Sequence, residues 1–320
     1  MRALRFDRYG SSDVLKVDAV SEPVPSPGQA KVRVRAAGLN PIDWKVRVGD
    51  FRLIPLFKGP PRGLGCDFAG DVIAIGGGAT ERHIGERVFG SLLPFARDGA
   101  LAEFLVVAYE RILPLPEGVD ETVAAALPIA GGTAVQGLID EAGVVAGQRV
   151  LVVGAAGGVG HFAVQIAKHL GTYVIGVCSA ANADFVRGLG ADEVIDYARD
   201  DFTKRSDRYD VVFDAAGASS FEAAKRVLTD FGCYLNTSGT MAAVATTAIS
   251  AVVARFTSRQ RAVPLALRNG PPMWHRLLQL IRSGAMRPHV ERTIALDEVP
   301  AALRDMETGH GRGKIVVRPG

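Results

Sequence analysis

The sequence predicts an α/β protein of two lobes: a β-rich lobe built from both ends of the chain and, inserted in it, a lobe with a doubly wound parallel sheet. Three observations predict it. At 320 residues the chain exceeds the length that one hydrophobic core usually serves. Its first third is rich in short alternating strands and in glycine and proline turns, whereas from about residue 122 helices and strands alternate. After about residue 284 the pattern changes again, ending in a helix and a closing strand.

In the first stretch, residues 29–37 (QAKVRVRAA) alternate polar and apolar as a half-buried strand does, and 71–75 and 88–90 look alike. Turns at Ser26-Pro27-Gly28, Gly76-Gly77-Gly78 and Asp98-Gly99 separate them. The alternating region then reads as helix 122–142, strand 149–153, helix 158–170, strand 173–177 and helix 182–189. Strands 193–195 and 209–213, helix 220–228 and strand 232–236 continue it, and the stretch 274–281, with Leu277, Leu278 and Leu280, reads as a core-facing helix. Residues 293–296, a helix 297–307 and a strand 314–317 close the chain, and that strand most simply returns to the first lobe. The expected division is therefore 1–122 with 285–320 for the β-rich lobe and 123–284 for the inserted one, with the active site in the cleft between them.

The segment RVLVVGAAGGVG, 149–160, carries the most chemistry. A buried parallel strand runs into Ala155-Ala156-Gly157-Gly158-Val159-Gly160, and Phe162, Ile166 and Leu170 follow at helical spacing. Strand, glycine turn and helix in this order make a dinucleotide site. Gly157 lets backbone amides approach a pyrophosphate, Gly160 lets the helix sit against the strand, and the helix N-terminus contributes partial positive charge. At the end of the next strand, where Asp or Glu would hold a free ribose 2′-hydroxyl, the chain has Cys178-Ser179-Ala180. No carboxylate there repels a 2′-phosphate, and Ser179, Asn182 and Tyr197 are candidate donors with Arg187 farther off, so NADPH is the expected cofactor. Asn182 as a helix cap and Tyr197 as an ordinary strand end are the plainer alternatives.

Composition narrows the partners. A net charge of +3 with acids and bases interspersed, and no basic run, argues against a nucleic-acid surface. The opening MRALRFDRYG has no apolar core after its arginines, so no signal peptide is expected. The longest apolar stretch, 241–254, is broken by Thr246, Thr247 and Ser250 and is shorter than the roughly 20 residues that span a bilayer, so no stable membrane insertion is expected. Cys66, Cys178 and Cys233 are scattered and fit a reducing compartment, with the cytoplasm expected. His83, His161, His169, His275, His289 and His310 show neither metal-ligand spacing nor a paired nucleophile.

Several blocks then occur in one order: GLNPIDWKVRVG (38–49), GCDFAGDV (65–72), IGERVFG (84–90), GALAEF (99–104), LPIAGGTA (127–134), the glycine turn, YDVVFDAAG (209–217) and GHGRGKIVV (309–317). In these the chain resembles zinc-independent members of the medium-chain dehydrogenase/reductase superfamily, in the quinone oxidoreductase (zeta-crystallin-like) branch. GLNPIDWK and ANADFVRGLGADEVIDY are most similar to the subgroup of chloroplast-envelope quinone oxidoreductase homologues and enone reductases. The resemblance implies a GroES-like catalytic domain interrupted by a Rossmann domain. It also implies a test for metal. Zinc-dependent relatives place ligands where this chain has Asn40, Cys66-Asp67 and Ile129 to Gly131, a set that cannot supply the three ligands a catalytic zinc requires.

Without a Lewis acid, the better match is hydride delivery from NADPH to an acceptor that is already electrophilic: a quinone, or the C=C bond of an α,β-unsaturated carbonyl. By resemblance, Asn40 lies near the nicotinamide and holds substrate or ribose, Thr133 contacts the nicotinamide side, and Val159, Ser238 and Gly239 line the cofactor. Lys314, with His310 and Arg312 nearby, sits in a block that approaches the site, or is a solvated loop cation. Asp43 either serves the site, by orienting Lys45 or a water, or caps a helix after Asn40-Pro41. No tyrosine follows Trp44 in this region, only Phe51 and Phe57, so water is the expected proton donor. Phe51, Phe57 and Phe95 suggest an apolar pocket or belong to the core. The alternatives to this activity are a metal-free alcohol dehydrogenase, a tailoring enoyl reductase, or an NADPH-binding structural or regulatory protein. A homodimer is expected, with its contact sought at 241–256, which otherwise reads as an internal loop and helix.

Overall fold

The computed structural model describes residues 1–320 apart from 55, 56, 58, 79, 80, 95, 238, 239 and 310. Strand Arg149–Val153 begins its organisation. Val150 and Val152 enter one hydrophobic cluster while Leu151 and Val153 enter another, because alternate side chains leave opposite faces of a strand. Both faces are covered, which explains the unbroken apolar run. Six parallel strands form this sheet in the order Glu193–Asp196, Tyr173–Cys178, Arg149–Val153, Tyr209–Asp214, Leu228–Asn236, Arg261–Pro264. Chain order reverses between Arg149–Val153 and Tyr209–Asp214, the switch point at which such sheets bind ligands beyond their carboxyl ends.

A seven-stranded, largely antiparallel sheet forms the β-rich lobe around the long strand Gln29–Gly38. One edge of that strand pairs with Asp67–Ile75; the other is shared by Phe104–Ala108 and the closing strand Lys314–Arg318. The last strand does return to the first lobe, as its position at the end of the chain suggested. Arg2–Phe6, Lys16–Ala19 and Arg62–Gly63 make a separate small sheet.

Most predicted elements stand within a few residues of their expected bounds, with instructive departures. The single helix expected over 122–142 is three pieces: Glu121–Ala125, Pro128–Val135 and a π-helical turn Gln136–Glu141. Pro128 has no N–H to continue the first helix and instead opens the second, where that N–H is not needed. Gly131 and Gly132 then let the helix Pro271–Arg282 approach, since a Cβ on either would lie 3.0–3.3 Å from Leu277, Leu267 or Met273 side chains. Strand Arg261–Pro264 was not foreseen, and the stretch after Thr240 is a helix, Met241–Thr257.

Candidate active site at the lobe junction

The glycine turn sits at the switch point. Its tight corner is made by Gly154, with φ +73°, one residue earlier than the sequence reading placed the motif. Gly160 does pack the helix Gly160–His169 against the strand: a Cβ there would lie 2.0 Å from the Gly154 carbonyl oxygen. Gly157 is open, with Gly154 O at 3.4 Å the nearest atom to a Cβ. Ala155 and Ala156 are buried beneath the turn. Among the described residues no hydrogen bond engages the N–H of Gly158 or Val159. These two amides, at the start of a ten-residue helix, are donors of the kind a pyrophosphate accepts from.

The β-rich lobe closes over this turn. Gly313 N–H donates to Ala156 O at 2.7 Å, and Lys314 Cδ lies 3.4 Å from where a Gly158 Cβ would stand. Lys314 is no solvated loop cation. It is 3% exposed, and its ammonium donates to Leu39 O and, at 2.6 Å, to Asn40 Oδ1. Asn40 Nδ2 in turn donates to Gly38 O at 3.2 Å and to Asp67 Oδ2 at 3.0 Å, which fixes the amide's orientation. The same Asp67 oxygen accepts the Ile129 N–H at 3.2 Å, hooking the helix that carries Thr133 onto the β-rich lobe. Thr133 is nearly buried and donates its hydroxyl to Ile129 O at 2.7 Å.

These charges are held away from water. Burial lowers the pKa of Lys314, opposed by Asp67 and Asp43, and burial likewise raises Asp67, opposed by Lys314 and the Asn40 amide. Asp43 is pushed up to about 7 by burial, although Asn40 N–H (2.8 Å) and Gly65 N–H (3.0 Å) both donate to it. The first bond makes Asp43 the capping-box partner of the N-cap Asn40, and the second ties it to the next block. Lys45 lies over the Trp44 ring, and among the described residues no hydrogen bond or ion pair joins it to Asp43. Phe51 and Phe57 pack in the β-rich core, whereas Phe95, Ser238, Gly239 and His310 lie outside the described residues.

Ser179 and Asn182 sit where strand Tyr173–Cys178 ends, Asn182 buried and Ser179 half-buried. Tyr197 is 53% exposed, and its N–H donates to Cys178 O at 3.2 Å, which keeps it beside this end. Arg187 is paired with Asp184 at 2.9 Å on the exposed face. For two residues the sequence did not show the partner across the lobes. Arg312 bonds Asn182 from the other lobe, and His161 links the lobes. Gly157 O accepts from His161 Nδ1–H at 3.1 Å and Nε2 accepts the His289 N–H at 3.2 Å, partners that only a neutral imidazole satisfies. Burial lowers its pKa to about 4.

The alcohol dehydrogenase GroES-like domain family matches residues 26–117, and the zinc-binding dehydrogenase family matches residues 189–317. The chain is 32% identical to the chloroplast envelope quinone oxidoreductase homolog of Arabidopsis thaliana, over 100% of this chain and 98% of that protein. The chain belongs to the quinone oxidoreductase branch of the medium-chain dehydrogenase/reductase superfamily. A second Arabidopsis thaliana relative, the chloroplastic NADPH-dependent alkenal/one oxidoreductase, is 32% identical over 100% of this chain and 80% of its own length. Among solved structures, the quinone oxidoreductase from Coxiella burnetii aligns with TM-score 0.89 and 33% identity, covering 100% of this chain and 99% of that one.

The zinc of one family description does not fit these residues. Both N–H groups of the Asn40 amide and the Asp67 Oδ2 are committed to one another and to backbone. Burial holds the Cys66 thiol in its protonated form, which is not the metal-binding one. Among the described residues no group of three or more His, Cys, Asp or Glu side chains is placed to hold a metal ion.

Proposed function

We propose that this member of the quinone oxidoreductase branch is an NADPH-dependent reductase that delivers hydride, without a metal, to a quinone or to the C=C bond of an α,β-unsaturated carbonyl compound. The lobe junction carries the reading: two free amides of the glycine turn face a buried Lys314 tied to Asn40. The names of the two Arabidopsis relatives support the acceptor class. NADPH, when bound, supplies the hydride.

The chain's own groups divide the remaining work. Gly158 and Val159 N–H would hold the pyrophosphate at the turn that Gly157 leaves open, where Gly160 seats the helix and Ala155 and Ala156 lie beneath. Lys314 spends two of its three N–H groups on Leu39 and Asn40 and keeps one for an anion. Thr133 would line the nicotinamide side, and Ser179, Asn182 and Tyr197 would meet the 2′-phosphate. Asn40, oriented by Lys314 and Asp67, presents its carbonyl edge to substrate or ribose, and Asp43 sets the start of that helix. In an enone, two electrons and one hydrogen arrive as hydride at the β-carbon. The resulting enolate takes its proton at the α-carbon from water.

Absorbance at the reduced-nicotinamide band tests this on chelator-treated protein with a simple quinone and a straight-chain enone. Faster oxidation of NADPH than of NADH, undiminished by chelator, is the expected result, and the better acceptor names the substrate class. Saturable NADPH binding without turnover of either acceptor would instead favour a binding protein.

The two domains are divided as 1–122 with 285–320, and 123–284. The molecule works as a homodimer through helix Met241–Thr257, whose Ile249, Val252, Val253 and Phe256 form one exposed apolar stripe at helical spacing. Three buried, unpaired cysteines support a reducing compartment, the cytoplasm. Among the described residues no helix is long and apolar enough to cross a membrane.

A further inference from the structure

We propose that Arg312, carried on the β-rich lobe, reads the 2′-phosphate of NADPH, so that cofactor choice is made across the lobe junction and not within the nucleotide lobe alone. The inference rests on the reading that places the 2′-phosphate at Ser179 and Asn182.

Arg312 reaches about 130 positions back along the chain: its Nε donates to Asn182 Oδ1 at 2.5 Å and an Nη to Ala181 O at 2.6 Å. Both acceptors are neutral. The cation therefore keeps its full charge at the strand end where the sequence lacks the carboxylate of a free ribose. Two of the five N–H groups of the guanidinium are used, and three remain in a fixed fork that suits a phosphate. Two other cations beside this strand end pair with carboxylates: Arg187 with Asp184 at 2.9 Å, and Arg199 at 3.7 Å from Asp196. Asp196, on the neighbouring strand, also accepts the Ala198 N–H.

The backbone around Arg312 is pinned on its C-terminal side. Gly313 N–H donates to Ala156 O, Lys314 N–H donates to His289 O at 2.9 Å, and Gly313 takes φ +63° where a Cβ would meet His289 O at 2.2 Å. Residues 312–314 thus form a strap that touches the 2′-phosphate end, the pyrophosphate turn and Asn40 in succession.

Calorimetric titration with 2′,5′-ADP and with 5′-AMP separates the phosphate from the rest of the nucleotide. Arg312→Met is expected to weaken 2′,5′-ADP about 10- to 100-fold, the worth of a charge-assisted hydrogen-bonded contact, while 5′-AMP changes less than about twofold. Arg312→Lys, which keeps charge but loses the fork, is expected to fall between. An unchanged preference in Arg312→Met overturns the assignment, and an equal loss of both nucleotides overturns it by showing a merely structural role. A wild-type protein without preference for 2′,5′-ADP overturns both this assignment and the Ser179–Asn182 phosphate site.

Discussion

Lowering the pH from 7 to 5 is expected to loosen the joint made by His161. In the unfolded chain this imidazole has its ordinary value of 6.5, and in the fold about 4. The folded state therefore favours the neutral ring: its contribution is whole above pH 6.5 and is lost as the pH falls through that value toward 4. At about 1.4 kcal/mol per pKa unit, the step from pH 7 to pH 5 removes about 2 kcal/mol. The cause is geometric. A proton on Nε2 faces the His289 N–H, a donor facing a donor, in a fully buried place near Lys314. Urea unfolding at the two pH values, on wild type and His161→Gln, measures it. The wild type is expected to lose about 2 kcal/mol more than the variant over this interval. Equal losses in the two proteins would refute the reasoning, because every other titrating group is common to both.

Gly160→Ala is expected to weaken NADPH binding at least about tenfold and to lower thermal stability by roughly 1–3 kcal/mol, since backbone and not a flexible side chain blocks the methyl; fluorescence titration and a melt check it. Asp67→Asn, whose amide oxygen can still accept from Asn40 and Ile129 but which removes a buried counter-charge from Lys314, is expected to cost about 1–3 kcal/mol at neutral pH in thermal unfolding. Phe256→Glu is expected to halve the mass seen by light scattering with the melting temperature unchanged, because that ring is 82% exposed in the single chain. A mass that does not change places the dimer contact elsewhere.

Local features were legible in the sequence, and distant ones were not. The strand at 149–153 announced itself because both its faces are buried, and Gly160 because helix–strand packing needs hydrogen at that Cα. Arg261–Pro264 escaped because four residues ending in proline carry no usable period. Gly154 was overlooked because motif spacing directed attention to the later glycines, while backbone sign selects the earlier one. Lys314 in GRGK left two readings open, site residue or loop cation, because its burial depends on Leu39 and Asn40, about 275 positions away. His161 looked like one more helix residue until His289 was placed against it from the other lobe.

The closing strand has a consequence for synthesis. Lys314–Arg318 completes the sheet around Gln29–Gly38, so a nascent chain holds its early strands without this neighbour until residues 314–318 have been translated. The inserted parallel sheet suffers no such delay, since its six strands lie between residues 149 and 264. It can assemble first, as domains of larger proteins do, with the glycine turn already shaped. Arg312 and Lys314 arrive with the final strand. On the proposed assignments, a ribosome-bound intermediate has the glycine turn without either strap cation, and its affinity for NADPH rises only when Lys314–Arg318 pairs with Gln29–Gly38.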